Sequence, residues 1–273
     1  MAEAPRILIV GCGNMGGAML QGWLAGGVAP ERVTVADPGL AEAPAGVTLV
    51  REVPHGTSDG TPFGVVLLGV KPQGLDTVAA QVARCIGPST VLLSILAGVE
   101  LATLAARFPV HGGLVRVMPN LSAAIGKSPL ALAGLGVEAA TRIAVTELLD
   151  PLGTPEWLAD ESLFDAVTAL AGCGPAFVYR FIDALAAGAV ALGLEPAQAQ
   201  RLALATAEGS ALLAGASPHA PGELARRVAS PGGSTQAGLD VLDRDGALAG
   251  VVAAAMRAAE QRSAQMGREA RGS

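Results

Sequence analysis

The six residues Gly11-Cys12-Gly13-Asn14-Met15-Gly16 restrict the possible folds of this chain more than any other feature. They lie between an apolar run at residues 6–10 and a helical segment at residues 14–25. In this context the first glycine permits a tight turn, the second lets the backbone approach a pyrophosphate, and the third lets helix and strand pack closely. The helix N-terminus then offers free N–H groups to the phosphates. The motif predicts a dinucleotide site; the alternative is a glycine-rich turn without a ligand.

Apolar runs and helical stretches alternate over residues 1–160, which we predict to form one domain. Strands are predicted at 6–10, 33–36, 64–70, 90–95, 114–118 and 128–133, with a weaker one at 47–50. Helices are predicted at 14–25, 73–84, 100–107 and 138–149. Continuous apolar strands alternating with helices are typical of a parallel sheet covered on both faces. The fold expected here is therefore an α/β domain with a parallel sheet.

The pattern changes near residue 160, and no strand is predicted beyond it. Helices are predicted at 165–192, 197–213, 223–228, 234–243 and 247–266, and 267–273 is expected to be a frayed tail. The first of these is apolar on nearly every face, which is typical of a buried helix. A small helical domain cannot easily bury it alone. Residues 161–273 are thus expected to form an all-α domain that makes a homodimer.

Charge and hydropathy exclude several classes of partner. The formal net charge is −6, which argues against nucleic acid or an anionic membrane as a partner. Residues 7–30 carry no Asp, Glu, Lys or Arg, as a signal peptide or membrane helix would. Glycines interrupt this run, as do Asn14 and Gln21, so we expect no membrane insertion.

Cysteine and histidine usage indicates the compartment and excludes a metal site. The chain has three widely spaced cysteines, Cys12, Cys85 and Cys173. Their spacing indicates neither a disulfide framework nor a zinc ribbon and fits a reducing cytoplasm. The histidines are His55, His111 and His219, without metal-ligand spacing, so no metal is expected.

Candidate ligand-binding residues follow the predicted strands. They are Asp37, Val70-Lys71-Pro72, Ala97 and Asn120. In an open parallel sheet the ligand lies along the carboxyl edge, where these residues end their strands. An acid at the end of the second strand accepts hydrogen bonds from the adenine ribose. The alternatives are a solvated aspartate and a surface lysine.

The helical half contains a second candidate anion site, Ser230-Pro231-Gly232-Gly233-Ser234-Thr235, directly before a predicted helix. The glycines free backbone N–H groups, and the two hydroxyls add donors, so the segment suits a substrate carboxylate. A purely structural helix start is the alternative. Gly172-Cys173-Gly174-Pro175 interrupts the long apolar segment beside several aromatic residues, which fit either a pocket or an interface core.

Together and in this order, these motifs resemble the pyrroline-5-carboxylate reductase family. The most specific stretch is 224–242, LARRVASPGGSTQAGLDVL, followed by 165–179, DAVTALAGCGPAFVY. GCGNMG, VKP, LAG and VMPN occur in the expected order, and the resemblance runs over residues 6–259. It implies reduction of the ring C=N bond of 1-pyrroline-5-carboxylate to L-proline, the last step of proline synthesis, by NADPH or NADH.

The resemblance also implies an assembly and residue roles. The first domain is implied to be an α/β Rossmann-type domain and the second an all-α domain. Family members dimerise through interlocked helical domains and commonly form decamers. The cofactor contacts implied are Gly11, Cys12, Gly13, Asn14, Met15, Gly16, Asp37, Val70, Lys71, Pro72 and Ala97, with Glu161 and Arg227 near the cofactor. Ser234 and Thr235 match the positions that bind the substrate carboxylate and ring nitrogen, with Gly233 beside them and Thr235 as the catalytic candidate.

Two departures and two competing functions remain. Ala171 and Cys173 replace residues that usually carry hydroxyls in the family, and many members have Ser or Thr near Asp37.

A hydroxyacid dehydrogenase of similar fold would use a lysine of the helical domain, but the lysines here are Lys71 and Lys127, which both precede that domain. A non-catalytic dinucleotide-binding regulator would not need the segment at 230–235.

Overall fold

An eight-stranded sheet forms the first part of the computed structural model, which describes residues 5–57 and 60–271. The strands lie in the order β3-β2-β1-β4-β5-β6-β7-β8. Their bounds are β1 Ile7–Val10, β2 Val33–Ala36, β3 Thr48–Val50, β4 Val65–Leu68, β5 Val91–Ser94, β6 Gly113–Met118, β7 Ser128–Leu135 and β8 Gly153–Trp157. The predicted Rossmann-type fold is confirmed, because sequential parallel strands diverge from β1 in both directions.

One strand pair departs from the expected parallel arrangement. β6 and β7 are antiparallel, with Val117 opposite Leu132. The connection between them is short and contains only a 3-10 turn, Leu121–Ile125. A parallel crossover needs a dozen or more residues, so this link returns the chain in the opposite direction. β8, which was not predicted, then pairs parallel to β7 at the sheet edge.

Helices cover both faces of the sheet. In this part they are α1 Asn14–Ala25, α2 Leu75–Val82, α3 Leu101–Arg107, α4 Ala139–Leu149 and α5 Phe164–Val167. Alternate residues of β1 enter different cores: Ile7 and Ile9 face one layer, and Leu8 and Val10 face the other. Such two-sided burial explains why the central strands are continuous apolar runs.

The second part is entirely helical, as predicted. Its helices are α6 Gly174–Ala191, α7 Pro196–Ala216, α8 Pro221–Val228, α9 Ser234–Asp243 and α10 Ala247–Arg271. The long apolar segment is interrupted before α6 by a π-helical turn at Thr168–Gly172. Residues 267–271 continue α10, so the expected frayed tail is wrong there; 272 and 273 lie outside the described residues.

Packing divides the chain into two compact units, Met1–Gly172 with Ala259–Ser273, and Cys173–Ala258. The first of these we call the cofactor unit and the second the helical unit. This division differs from the expected ranges 1–160 and 161–273. Buried Phe164 packs into the core of the sheet, and Ser263 donates a 2.7 Å hydrogen bond to Asp165, so some residues after 160 pack with the sheet. The expected domain ranges remain a prediction.

Candidate active site

The loop between β1 and α1 has the backbone geometry that its glycines predict. Gly11 has a φ of +85°, and a Cβ there would lie 2.7 Å from the Val70 nitrogen. A Cβ on Gly16 would lie 2.8 Å from the Gly11 oxygen, so strand and helix pack in direct contact. A Cβ on Gly13 would meet no described atom within 4 Å. The backbone at Gly13 therefore borders open space, as an approaching pyrophosphate requires.

A cavity of about 780 Å³ lies along the carboxyl edge of the sheet, beside this loop. It brings together most of the predicted cofactor residues: Gly11, Gly13, Asn14, Met15, Asp37, Val70, Lys71, Pro72 and Ala97. Arg51 also lines it, as do Thr77 and Gln81 of α2, which the sequence analysis did not identify. Cys12, in the same loop, is buried. The open backbone at Gly13 and the length of this cavity along the strand ends fit a dinucleotide.

Asp37 is held by three backbone donors. Its carboxylate accepts hydrogen bonds from the N–H groups of Cys12 at 2.7 Å, Gly39 at 2.7 Å and Leu40 at 3.1 Å. Partial burial by itself would raise the pKa of Asp37, but these donors and the nearby Arg51 charge lower it below its usual value. Asp37 is therefore an anion that faces the cavity, and its hydrogen bond to Cys12 also joins β2 to the loop between β1 and α1, called the phosphate loop below.

Arg51 is the cation at the same end of the cavity. Its guanidinium donates to backbone carbonyls of the β2–β3 connection, including those of Leu40, Pro38 at 3.3 Å and Ala41 at 3.4 Å. The residue follows the short strand β3, which carries no motif. An arginine directly after the third strand of a dinucleotide fold is the only sequence signal that identifies it.

Asn120, an expected cofactor contact, is buried and does not line the cavity. Its amide nitrogen donates a 3.0 Å hydrogen bond to the carbonyl of Ala171, beside the π-helical turn. Its amide oxygen accepts from the Ser122 backbone N–H at 3.0 Å and so caps the turn after β6. Its side chain thus joins β6 to the segment that precedes α6.

Glu161 also lies away from that cavity, in a second hollow of about 370 Å³. Its carboxylate forms a 2.7 Å ion pair with Arg116 and accepts a 2.8 Å hydrogen bond from the Leu101 N–H. Its expected direct contact with the cofactor remains a prediction.

The segment at 230–235 forms a tight turn and then α9. Gly233 donates a 2.9 Å hydrogen bond to the Ser230 carbonyl, and Gly232 has a φ of +71°. Proline followed by a glycine of positive φ is the signature of a type II turn. Ser234 and Thr235 begin α9 and are exposed, and no side chain of the described residues caps the helix. Its first N–H groups and two hydroxyls are thus available to an anion.

Arg227 lies one turn before this segment, on α8. Its guanidinium bonds to Glu223 on the same helix, through Nε at 3.0 Å and Nη2 at 2.9 Å. The Nδ1 of His219 lies 3.3 Å from the same carboxylate oxygen. Glu223 therefore orients Arg227, whose expected role near the cofactor remains a prediction.

Large apolar side chains are exposed throughout the helical unit. Examples are Tyr179 at 68%, Leu213 at 64% and Val251 at 69% exposure. So many exposed apolar side chains are typical of an obligate subunit interface. Within the described residues one helical segment, Glu161–Ala191, also has the length and composition of a membrane-crossing helix. No group of three metal-ligating side chains occurs in ranges 5–57 and 60–271.

Comparisons with known proteins agree with this architecture. The family model for "Pyrroline-5-carboxylate reductase dimerisation" matches residues 161–266, and that for "NADP oxidoreductase coenzyme F420-dependent" matches residues 6–98. A pyrroline-5-carboxylate reductase of Pseudomonas aeruginosa is 36% identical over 97% of both chains.

Solved structures agree as well. That of a pyrroline-5-carboxylate reductase from Coxiella burnetii has a TM-score of 0.88 at 25% identity, covering 96% of this chain and 98% of the other. The Plasmodium falciparum enzyme, solved with NADP bound, has a TM-score of 0.81 at 25% identity, covering 97% and 99%. The chain therefore belongs to the pyrroline-5-carboxylate reductase family.

Proposed function

We propose that this chain reduces the C=N bond of 1-pyrroline-5-carboxylate to give L-proline, with hydride from NADPH or NADH. The observation that carries the proposal is the presence of two different anion sites in one chain. The loop at 11–16 borders a long cavity at the sheet edge, and α9 begins with exposed N–H groups and two hydroxyls. Full-length similarity to reductases of this name supports the same assignment.

The cofactor unit would hold the dinucleotide through the phosphate loop and the strand ends. The N–H groups at the start of α1 face the pyrophosphate, and Asp37 and Arg51 face the adenosine ribose. Lys71 and Ala97 then lie toward the nicotinamide half. When bound, NAD(P)H supplies the hydride for the imine carbon.

The helical unit would bind the substrate through α9. Its first N–H groups and Ser234 bind the carboxylate, and the Thr235 hydroxyl orients the ring nitrogen. The ring nitrogen gains one proton as the imine carbon gains the hydride. Residues 173–258 contain no lysine, and their one histidine, His219, is paired with Glu223. We therefore assign the proton to water and rate enhancement to positioning and electrostatics.

The assembly is proposed to be a homodimer through the helical unit, with a decamer as the larger form. The exposed apolar faces of α6, α7 and α10 support the dimer. Burial in this dimer, rather than in a membrane, is the role we assign to the 161–191 segment. Free cysteines support a cytoplasmic location.

The deciding experiment is a steady-state assay with 1-pyrroline-5-carboxylate and, in parallel, NADPH and NADH. We expect cofactor oxidation that depends on the imine. Turnover of hydroxyacids instead would support the dehydrogenase alternative, and dinucleotide binding without any turnover would support the regulator.

A further inference from the structure

Arg116 is a buried charge in the middle of the sheet. It lies on β6, its side chain is 8% exposed, and its guanidinium stacks on the Phe164 ring with 4.1 Å to the ring centroid. Its Nη1 pairs with the Glu161 carboxylate at 2.7 Å. A buried arginine needs such a partner, because an uncompensated charge inside a protein is strongly unfavourable.

The same Glu161 oxygen also binds the start of α3. It accepts a 2.8 Å hydrogen bond from the Leu101 N–H, the first residue of that helix. Residues 95–100 join β5 to α3. Their C-terminal end is therefore held by the Glu161 carboxylate, which is itself paired with Arg116. We call residues 95–100 the β5–α3 loop.

This loop is the wall between the two hollows of the cofactor unit. Ile95, Leu96 and Ala97 line the 780 Å³ cavity, whereas Gly98 and Glu100 line the 370 Å³ hollow together with Arg116 and Glu161. The same short loop therefore borders both hollows.

The loop is also fixed from the end of α10. Gly98 has a φ of +73°, and a Cβ on it would lie 2.9 Å from the Gly267 Cα. The backbone of this loop thus packs directly on α10 and cannot relax toward it. Besides the burial of Leu96 and Val99 in the core, two contacts hold the α3 end of this loop: the Glu161 carboxylate at Leu101 and the α10 backbone at Gly98.

We propose that Arg116 is a positioning residue for the cofactor reaction: through Glu161 it holds the β5–α3 loop against the nicotinamide half of the dinucleotide. The loop lies on the side of the phosphate loop opposite Asp37, which is the nicotinamide side of this fold. The inference rests on the proposed function only for the identity of the cofactor.

The test compares binding of NADP⁺ with binding of ADP, which carries adenosine and pyrophosphate but no nicotinamide. In calorimetric titrations we expect Arg116→Met to weaken NADP⁺ binding about tenfold, the loss expected for one or two displaced contacts. The dissociation constant of ADP should stay within about twofold, because the adenosine end is untouched. Arg116→Lys, which keeps the cation, should restore part of the NADP⁺ affinity.

Two further variants keep the result decisive. Arg142→Met removes another arginine–aromatic contact, that with Trp157 at 4.2 Å, on α4 away from the cavity, and should leave both affinities unchanged. Glu161→Gln should weaken NADP⁺ binding but not ADP binding, as Arg116→Met does. Because both residues act through one contact, the double variant should bind NADP⁺ no more weakly than the single variant with the lower NADP⁺ affinity.

Equal weakening of ADP and NADP⁺, or no change in either, would overturn the proposal. If Arg116→Met does not fold, the same comparison of NADP⁺ and ADP affinities is made with Arg116→Lys and Glu161→Gln. These titrations contain no imine, so they remain decisive even if the wild-type protein fails to turn over 1-pyrroline-5-carboxylate.

Discussion

The carboxylate of Asp37 accepts a 2.7 Å hydrogen bond from the backbone N–H of Cys12. The acid at the end of β2 is thereby joined to the phosphate loop between β1 and α1. One side chain thus holds the shape of this loop and places a negative charge in the adjoining cavity.

The first prediction concerns the choice between NADPH and NADH. Asp37 repels the 2′-phosphate of NADPH, and solvent and Arg51 reduce this repulsion. Asp37→Ser should therefore raise the ratio of kcat/KM for NADPH to that for NADH, by about tenfold if the net repulsion is about 1.4 kcal/mol. Parallel steady-state assays with both cofactors measure the ratio.

The control is Asp37→Asn, which keeps an acceptor for the Cys12 N–H but removes the charge. It should shift the ratio in the same direction with less effect on the loop. An unchanged ratio in both variants would show that Asp37 supports the loop and does not discriminate between the cofactors.

The second prediction concerns substrate binding at the start of α9. Thr235→Ala should lower kcat/KM for 1-pyrroline-5-carboxylate by about 10- to 1000-fold, the effect of losing one or two positioned hydrogen bonds. Thr235 is exposed, so the melting temperature should change little. Thr235→Ser, which keeps the hydroxyl, is the matched control. An unchanged kcat/KM, or a loss of dinucleotide affinity as large as the loss of kcat/KM, would contradict the assignment.

The third prediction concerns assembly. Light scattering at micromolar concentration should give at least twice the chain mass of 27.1 kDa. Val251→Asp, on the exposed apolar face of α10, should lower that mass because the charge would have to be buried at the interface. Ile143→Asp, on α4 of the cofactor unit with 61% exposure, is the matched control and should not. A stable and active wild-type monomer would refute the interface.

The fourth prediction concerns stability in alkali. Burial raises the pKa of the Cys85 thiol to about 11 from 9.0. A raised folded-state pKa stabilises the protein below pH 9, and this stabilisation is lost as the pH rises through about 11. The difference in free energy of unfolding between wild type and Cys85→Ala should therefore shrink from pH 9 to pH 11, by at most about 3 kcal/mol. Denaturant titrations across this range measure it, and a constant difference would contradict the shifted pKa.

The central strands were predictable because burial on both faces makes them continuous apolar runs. β8 was not, since Gly153–Trp157 alternates between half-buried and exposed residues and contains a proline, as sheet edges often do. The direction of β7 was also missed, because an apolar run contains no information on direction. The short link before it does contain that information, since it leaves no room for a crossover helix.

The backbone geometry of the loop at 11–16 and of the segment at 230–235 could be predicted from local motifs, because each depends on a few consecutive residues; their ligands remain predictions. Arg116 was missed, since a lone arginine in a strand has no local signature. The partners of Asn120 and Glu161 lie far along the chain: Asn120 bonds to Ala171, and Glu161 bonds to Leu101. Such contacts depend on tertiary packing, which short-range patterns do not encode.

The buried pair of Arg116 and Glu161 also has a consequence for synthesis on the ribosome. A nascent chain that has emerged only to residue 160 has placed Arg116 in β6 but lacks the carboxylate that neutralises it. Domains generally fold as units in the order of synthesis, N-terminal first. This ion pair can therefore form only after residue 161 has left the exit tunnel, so the sheet acquires the counterion of its buried arginine later than its last strand.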